Sequence, residues 1–247
     1  MSITTNIYSL PEPIVKALAY DEYSRGEADI SVTGLITPPQ LAWLYDRHEA
    51  EVEEDISERT WLALGKAIHI LFERHAEVPL ISEERLYMPC QGWTVSGQPD
   101  LRPDLIDYKS TSVWTVVYSP LGREDWHAQL NMYALLCHHN GYPVEKATVI
   151  ALLRDWQKGQ AAKGGKYPPI PWAVIDIPLW PQEEAVAYMT RRGLLPQAAR
   201  GEGRFEDCTA EERWQNERTK KYARCVGYCP VSRWCPTLQR EAGIAVL

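Results

Sequence analysis

The spacing of the apolar residues changes along the chain, and this change is the feature that most limits the possible folds. Between residues 60 and 75 apolar residues recur at three- and four-residue steps, which predicts a helix ending near His75. The following segment alternates residue by residue around Gln91-Gly92, which predicts a β-hairpin. A third strand, "DLIDYKST", comes next, and "REDWHAQLNMYALLCHHN" returns to helical spacing. A protein that alternates in this way needs both a sheet and helices packed on it.

The second half of the chain continues the same alternation. "KATVIALLRDW" and "PWAVIDIPL" are typical of strands, and "PQEEAVAYMTRRGLLPQAA" is typical of a helix. Between the two strands, "QKGQAAKGGKYPP" predicts a mobile loop. The order predicts an α/β or α+β fold with a central mixed sheet flanked by helices. We expect an N-terminal helical region at 1–57, a core at 58–200 and a C-terminal cysteine-rich segment at 201–247, packed on the core.

Composition excludes some classes of protein. The 247 residues contain no internal repeat and no apolar run long enough to cross a bilayer, so we expect no membrane association. The N-terminus lacks the pattern of a secretory signal, so a cytoplasmic location is expected, where cysteines favour metals over disulfides. The net charge of −7 argues against a protein that coats nucleic acid. It is compatible with an enzyme whose carboxylates hold metal ions.

An acidic cluster with one lysine lies at the centre of the predicted sheet. Asp100 ends one strand, and Asp107 and Lys109 share one face of the next strand, because strand side chains alternate. Two such carboxylates suit Mg²⁺, and a lysine beside the metal can orient water or neutralise a phosphate. This pattern favours phosphodiester hydrolysis. The alternative is that the acids are ordinary surface residues and that Lys109 forms a weak exposed ion pair.

These residues occur within a series of motifs. "QPD" and "DYK" resemble the signature of the PD-(D/E)XK nucleases. "GKAIH" on the preceding helix resembles the histidine motif of the RecB-like and CRISPR-adaptation branch, and "QLNMY" resembles its Q-x-x-x-Y motif. The order and spacing of the motifs agree from about Gly65 to Tyr133.

The resemblance implies a restriction-endonuclease-like core and a role for each matching residue. It makes His69, Asp100 and Asp107 metal ligands, together with the backbone carbonyl of Tyr108. Lys109 becomes the catalytic lysine. Gln129 and Tyr133 position Lys109 or the DNA. The implied cofactor is Mg²⁺ or Mn²⁺, and the implied reaction is hydrolysis of DNA by water.

Four cysteines, Cys208, Cys225, Cys229 and Cys235, lie within one polar segment. Four thiolates are the usual complement of a zinc or iron–sulfur site. The nuclease branch often carries a [4Fe–4S] cluster, but its usual spacing of the last three cysteines differs from the spacing here. We therefore expect [4Fe–4S] or, alternatively, Zn²⁺. Cys90 and Cys137 fall in strand and helix patterns and are predicted to be buried structural thiols.

Contacts with DNA are expected from basic and aromatic residues. The basic candidates are Lys158, Lys163, Lys166, Arg218, Lys220, Lys221 and Arg224. Trp114, Trp126 and Trp156 are candidates for stacking on unpaired bases. The alternative is a solvated basic face with half-buried tryptophans.

The leading hypothesis is a stand-alone DNA exonuclease of a phage or prophage that acts on linear DNA ends, double- or single-stranded, in recombination or repair. Such an enzyme would work in a bacterial or phage-infected cell beside a single-strand annealing protein. One alternative is a CRISPR-adaptation nuclease that trims spacer precursors with an integrase partner. A third hypothesis is a catalytically silent module that binds DNA ends.

Overall fold

The structure is a computed structural model that describes residues 3–20, 24–75, 81–82, 84–102, 104–203, 205–215, 219 and 221–242. The chain divides into two compact units. The first unit contains residues 1–19, 37–58 and 191–247. The second unit contains residues 20–36 and 59–190. Among the described residues, no helix is long and apolar enough to cross a membrane.

The elements of the described residues follow in chain order. The strands are β1 (Ile3–Thr5), β2 (Ile30–Ser31), β3 (Glu53–Asp55), β4 (Ile81–Ser82), β5 (Leu86–Cys90), β6 (Trp93–Gly97), β7 (Leu101–Arg102), β8 (Leu105–Thr111), β9 (Ala147–Leu153) and β10 (Trp172–Ile177). The α-helices are α1 (Glu12–Ala19), α2 (Val32–Ile36), α3 (Pro39–His48), α4 (Thr60–Glu73), α5 (Val113–Tyr118), α6 (Glu124–His139), α7 (Lys158–Ala161), α8 (Gln182–Glu202), α9 (Ala223–Gly227) and α10 (Pro236–Glu241). Short 3-10 helices occur at Glu49–Glu51, Ile56–Arg59 and Ser232–Trp234.

The second unit is built on a mixed sheet in the order β10-β9-β8-β7-β4. Strands β8 and β9 are parallel neighbours, and the other pairs are antiparallel. A smaller sheet, β2-β6-β5, belongs to the same unit. The predicted mixed sheet with helices is therefore confirmed, as are the strands β8, β9 and β10 and the helices α4, α6 and α8.

The hairpin predicted around Gln91-Gly92 is also confirmed. Gln91 and Gly92 both adopt positive φ, 53° and 80°, as the two central residues of a type I′ turn require. The turn sets the register of β5 against β6, in which Leu86 pairs with Gly97. Because β6 ends at Gly97, the chain then leads directly into "QPD" and Asp100.

The core of the second unit forms around helix α6. This helix is buried from Leu130 to Cys137, and Leu130, Met132 and Leu136 are completely shielded from solvent. Asn131 is also buried, and its amide is fully used: Nδ2 donates to the carbonyls of His127 and Pro178, and Oδ1 accepts from the amide of Trp180. The two thiols outside the C-terminal segment, Cys90 and Cys137, are buried as predicted. Helix α6 is thus held firmly beneath the strand that carries Lys109.

The connection between β9 and β10 was predicted to be a loop. It contains the four-residue helix α7 and is tied at both ends. The Trp156 indole donates to the Pro168 carbonyl at 2.9 Å, and the Gln157 amide donates to the Tyr167 hydroxyl at 2.8 Å. Aromatic side chains therefore hold this glycine- and lysine-rich connection in one arrangement.

The first unit contains the two-stranded parallel sheet β1-β3 and a small core of Leu44, Val52, Val231 and Cys235. Asp55 organises the sheet end, because its carboxylate accepts from the amides of Ile7 and Ser57 and from the Thr5 hydroxyl. These hydrogen bonds favour the ionised form and lower the pKa of Asp55 to about 2.

Candidate active site

Strand β8 places an acid and a base on one face of the main sheet. Asp107 and Lys109 lie two residues apart and therefore point to the same side. Lys109 Nζ lies 2.6 Å from Asp107 Oδ2, and the two side chains are 22% and 4% exposed. The weak exposed ion pair considered as the alternative is therefore wrong, because this pair is largely buried.

Helix α6 completes the environment of Lys109. Gln129 Oε1 accepts a hydrogen bond from Lys109 Nζ at 2.8 Å, and Gln129 Nε2 donates to the Tyr133 hydroxyl at 3.1 Å. Tyr133 is 7% exposed, so it is shielded from a DNA strand, and its hydroxyl contacts Gln129. The one-turn spacing of Gln129 and Tyr133 thus fixes the direction of the lysine side chain.

Asp100 and His69 contact the β8 backbone at Tyr108. Asp100 Oδ2 accepts from the Tyr108 amide at 2.7 Å. His69, on α4, has Nδ1 at 3.3 Å from Asp100 Oδ1 and Nε2 at 3.2 Å from the Tyr108 carbonyl oxygen. The structure therefore brings together His69, Asp100, Asp107 and the Tyr108 carbonyl, as the motif order predicted.

Burial governs the charge of Asp107. Desolvation raises the pKa of this carboxyl to about 6, Lys109 opposes the rise, and the nearby negative charge of Asp100 adds to it. Asp107 Oδ2 is buried, and the Lys109 ammonium lies 2.6 Å from it. A buried carboxylate needs a positive charge or hydrogen-bond donors beside it, so this position is well suited to cations.

The chain was compared with known proteins. A family model of the PD-(D/E)XK nuclease superfamily matches residues 16–236, which is most of the chain. The chain belongs to the PD-(D/E)XK nuclease superfamily. The crystal structure of SSO0001 is similar in fold, with a TM-score of 0.53 over 91% of this chain and 95% of that chain, at 18% sequence identity. No curated protein matches the chain. Membership of the superfamily implies a nuclease that acts on DNA.

Sequence reasoning overlooked Gly97 in this nuclease. A Cβ atom at this position would lie 2.9 Å from two ring atoms of Tyr133 and 3.1 Å from Leu136. A glycine within a strand pattern is a signal of such close approach, and it was available in the sequence. Gly97 therefore allows α6 to come close enough for Gln129 to reach Lys109.

We expect Gln129→Ala to lower the cleavage rate of the nuclease by about 10- to 100-fold, because Lys109 Nζ loses the acceptor that directs it. The measurement is single-turnover cleavage of linear DNA. Tyr133→Phe is the matched variant: it removes only the hydroxyl that orients Gln129, and should have a smaller effect in the same direction. An unchanged rate in Gln129→Ala would remove Gln129 from the positioning of Lys109.

The C-terminal cysteines lie together in the first unit. Cys208, Cys225, Cys229 and Cys235 line one small cavity of about 20 Å³. Burial raises the pKa of Cys208 to about 12, and the neighbouring Glu212 and thiols contribute to the rise. Among the described residues, no group of three or more His, Cys, Asp or Glu side chains could hold a metal ion as the side chains stand. The cysteines are adjacent, but their geometry is that of free thiols.

The three tryptophans that were predicted to stack on DNA differ in their exposure to solvent. Trp126 is 6% exposed and lies in the core, so that prediction is wrong for Trp126. Trp156 is half-buried and hydrogen-bonded to Pro168. Trp114 is 50% exposed and is available for contact. The periodicity of a helix does not distinguish these cases, because tryptophan is common both in cores and at surfaces.

The basic residues predicted to contact DNA differ in exposure and in their protein contacts. Lys158, Lys163 and Lys166 are exposed on the connection between β9 and β10. Lys221 is exposed in the first unit, whereas Arg224 donates to the Glu212 carbonyl at 3.1 Å and lies over the Trp214 ring. Arg218 and Lys220 lie outside the described residues. Contact of these residues with DNA stays a prediction.

Proposed function

We propose that this protein is a metal-dependent DNA exonuclease that hydrolyses phosphodiester bonds at the site around Lys109. The observation that carries the proposal is the continuous series of contacts from His69 through Asp100 to strand β8, and from Asp107 through Lys109 to Gln129. Apart from the pair Asp107 and Lys109, each contact joins residues from two different motifs. The arrangement supports an intact site and argues against the silent DNA-binding module.

The residues present carry the donor atoms that a divalent cation takes, although among the described residues these side chains do not form a group that could hold an ion as they stand. Asp100 and Asp107 would hold it through carboxylate oxygens, with the Tyr108 carbonyl as a further oxygen and His69 as a nitrogen ligand. The buried Asp107 carboxylate, which already attracts the Lys109 ammonium to 2.6 Å, supports this assignment. Oxygen ligands suit Mg²⁺, and a nitrogen ligand makes Mn²⁺ an equally suitable activator. When bound, such an ion acts as a Lewis acid and lowers the pKa of water.

The chain's own residues would then act on the phosphate and the water. Lys109 Nζ, held by Gln129 and Asp107, places a positive charge where negative charge develops on the phosphate. The same ammonium can orient the attacking water by donating a hydrogen bond. The buried position of the pair strengthens both effects, because the local dielectric is low.

Action on DNA ends is proposed from the Q-x-x-x-Y motif. That motif supports the RecB-like branch, and within it we propose a phage or prophage enzyme that works with a single-strand annealing protein in recombination or repair. A CRISPR-adaptation nuclease with an integrase partner uses the same motifs and is the second candidate.

The test is a time course with end-labelled linear DNA and closed circular DNA, in Mg²⁺, Mn²⁺ or EDTA. Loss of linear DNA only, and only with metal, is the expected result. Equal cutting of circular DNA would contradict the exonuclease assignment and favour an endonuclease. If neither substrate is cut with either metal, the silent binding module becomes the better interpretation.

We further propose that the four C-terminal cysteines bind a [4Fe–4S] cluster or Zn²⁺ after small side-chain movements. Their common cavity supports this proposal. The Arg213 Nε–H, which donates to Cys225 Sγ at 3.4 Å, would stabilise a thiolate there.

We expect Cys229→Ser to lower the iron or zinc content of the purified protein and its melting temperature, because the loss of one ligand weakens a structural site. Elemental analysis, visible absorption and thermal melting make the measurement. Cys90→Ser is the control, since this thiol belongs to the core of the second unit and should leave the metal content unchanged. An unaltered metal content and melting temperature in Cys229→Ser would contradict a structural cluster.

A further inference from the structure

Aromatic residues cluster beyond the ends of β8 and β9, and two of them are on α5, the helix that follows the strand carrying Lys109. Trp114 is 50% exposed and Tyr118 is 78% exposed, and their rings stack at 6.0 Å with an interplanar angle of 26°. Tyr167 meets Trp114 edge-on at 6.1 Å. Large aromatic side chains that remain in solvent and in mutual contact form an apolar patch of the kind that marks binding sites.

A cation and a fourth aromatic ring extend this patch. Arg154 lies 4.6 Å above the ring of Trp61, which is 57% exposed, and its amide donates to the Thr111 carbonyl at 2.9 Å. We call Trp61, Trp114, Tyr118, Tyr167 and Arg154 the aromatic surface. All five belong to the second unit, together with Lys109.

The aromatic surface is preorganised by Asp155. Its carboxylate accepts from the Ser112 hydroxyl at 2.7 Å and from the Val113 amide at 2.6 Å, at the start of α5. These hydrogen bonds lower the pKa of Asp155 against the effect of its burial. The Trp114 backbone is therefore fixed before any ligand binds, which reduces the entropy cost of binding.

The charge around the aromatic surface is opposite to that of the chain. Residues 154–171 contain Arg154, Lys158, Lys163 and Lys166 but only one acid, Asp155, in a protein of net charge −7. A polyanion is therefore attracted to this surface, while most of the protein repels it. Exposed π-faces beside cations are the combination that binds unpaired nucleotides, by stacking on the bases and attraction of the phosphates.

We propose that the aromatic surface binds single-stranded DNA and delivers an unpaired end to the site at Lys109. Ser112 is three residues beyond Lys109 along the extended chain, a distance of about 10 Å. Trp61 is on the same helix as His69 and eight residues before it, which is about 12 Å along the helix axis. Duplex DNA offers no free base faces, so this surface favours single-stranded or frayed ends. The inference rests on the proposed function and adds the form of the substrate.

The test measures the binding of a labelled oligothymidylate and of a blunt duplex of equal length. The Lys109→Ala background without added divalent metal keeps both substrates intact. Trp114→Ala should weaken oligothymidylate binding by about 5- to 100-fold and leave duplex binding unchanged. Trp114→Phe, which keeps a stacking face, should retain most of the affinity. Tyr228→Ala is the control, because Tyr228 is 70% exposed in the first unit.

Salt dependence separates stacking from charge. The ratio of affinities between Trp114→Ala and its parent should be the same at low and high salt, because stacking releases no counterions, whereas Lys158→Ala should reduce the salt dependence itself. The inference would be overturned if Trp114→Ala and its parent bound oligothymidylate equally well. It would also be overturned if Trp114→Ala lost affinity equally for the single strand and the duplex. If the wild type cuts no DNA although single-strand binding depends on Trp114, the proposed function fails, and with it delivery to Lys109, while the single-strand binding by the aromatic surface stands.

Discussion

Replacing Lys109 with alanine is expected to reduce DNA cleavage by about 10²- to 10⁴-fold, with the fold retained. The ammonium lies 2.6 Å from Asp107 Oδ2 and 2.8 Å from Gln129 Oε1. These two contacts hold it beside the carboxylate that is a candidate metal ligand. Alanine removes the charge that would meet the phosphate. Cleavage of end-labelled linear DNA under single-turnover conditions makes the measurement.

Lys146→Ala is the matched control for this result. Lys146 lies in the same unit and also pairs with a carboxylate, Asp176, at 3.2 Å, but both side chains are more than half exposed. We expect this variant to cut DNA at the rate of the wild type. If Lys109→Ala kept full activity while melting normally, Lys109 would be excluded from the mechanism.

Replacing Asp107 with asparagine is expected to abolish divalent-metal binding at the site and, with it, cleavage. The same change should not destabilise the metal-free protein at pH 8, and should stabilise it by up to about 3 kcal/mol. The folded-state pKa of Asp107, about 6, is higher than the usual value of an aspartate. Folding therefore favours the neutral carboxyl, and this contribution is present at low pH and lost as the pH rises through 6. Asparagine keeps the neutral form at every pH.

Calorimetric titration with Mn²⁺ and urea unfolding at pH 5 and pH 8 make the second set of measurements. In the wild type, metal binding should strengthen as the pH rises through about 6, because the ligand form of Asp107 is the carboxylate. Asp176→Asn is the control, since this carboxylate is 69% exposed and should affect neither property. Unchanged metal binding in Asp107→Asn would contradict its role as a ligand. Equal destabilisation at both pH values would contradict the effect of burial on its charge.

The sequence by itself was enough for most of the secondary structure and for the residues of the site. Periodicity identified α4, α6, β8 and β9, because each element buries one face, and burial imposes the spacing of its apolar residues. Alternation along β8 was enough to place Asp107 and Lys109 on one side. The motif order then selected His69, Asp100, Gln129 and Tyr133, and the structure brings their side chains into contact around β8.

Only the tertiary structure decided how those side chains are exposed and connected. Trp114 has valines on both sides in the sequence and Trp126 has charged neighbours, yet Trp114 is half exposed and Trp126 is in the core. The raised pKa of Asp107 and the hydrogen bond from Lys109 to Gln129 likewise depend on α6 packing against the Gly97 backbone. The physical reason is that periodicity reports which face of an element is apolar, whereas burial and charge depend on the neighbours that long-range packing brings to that face.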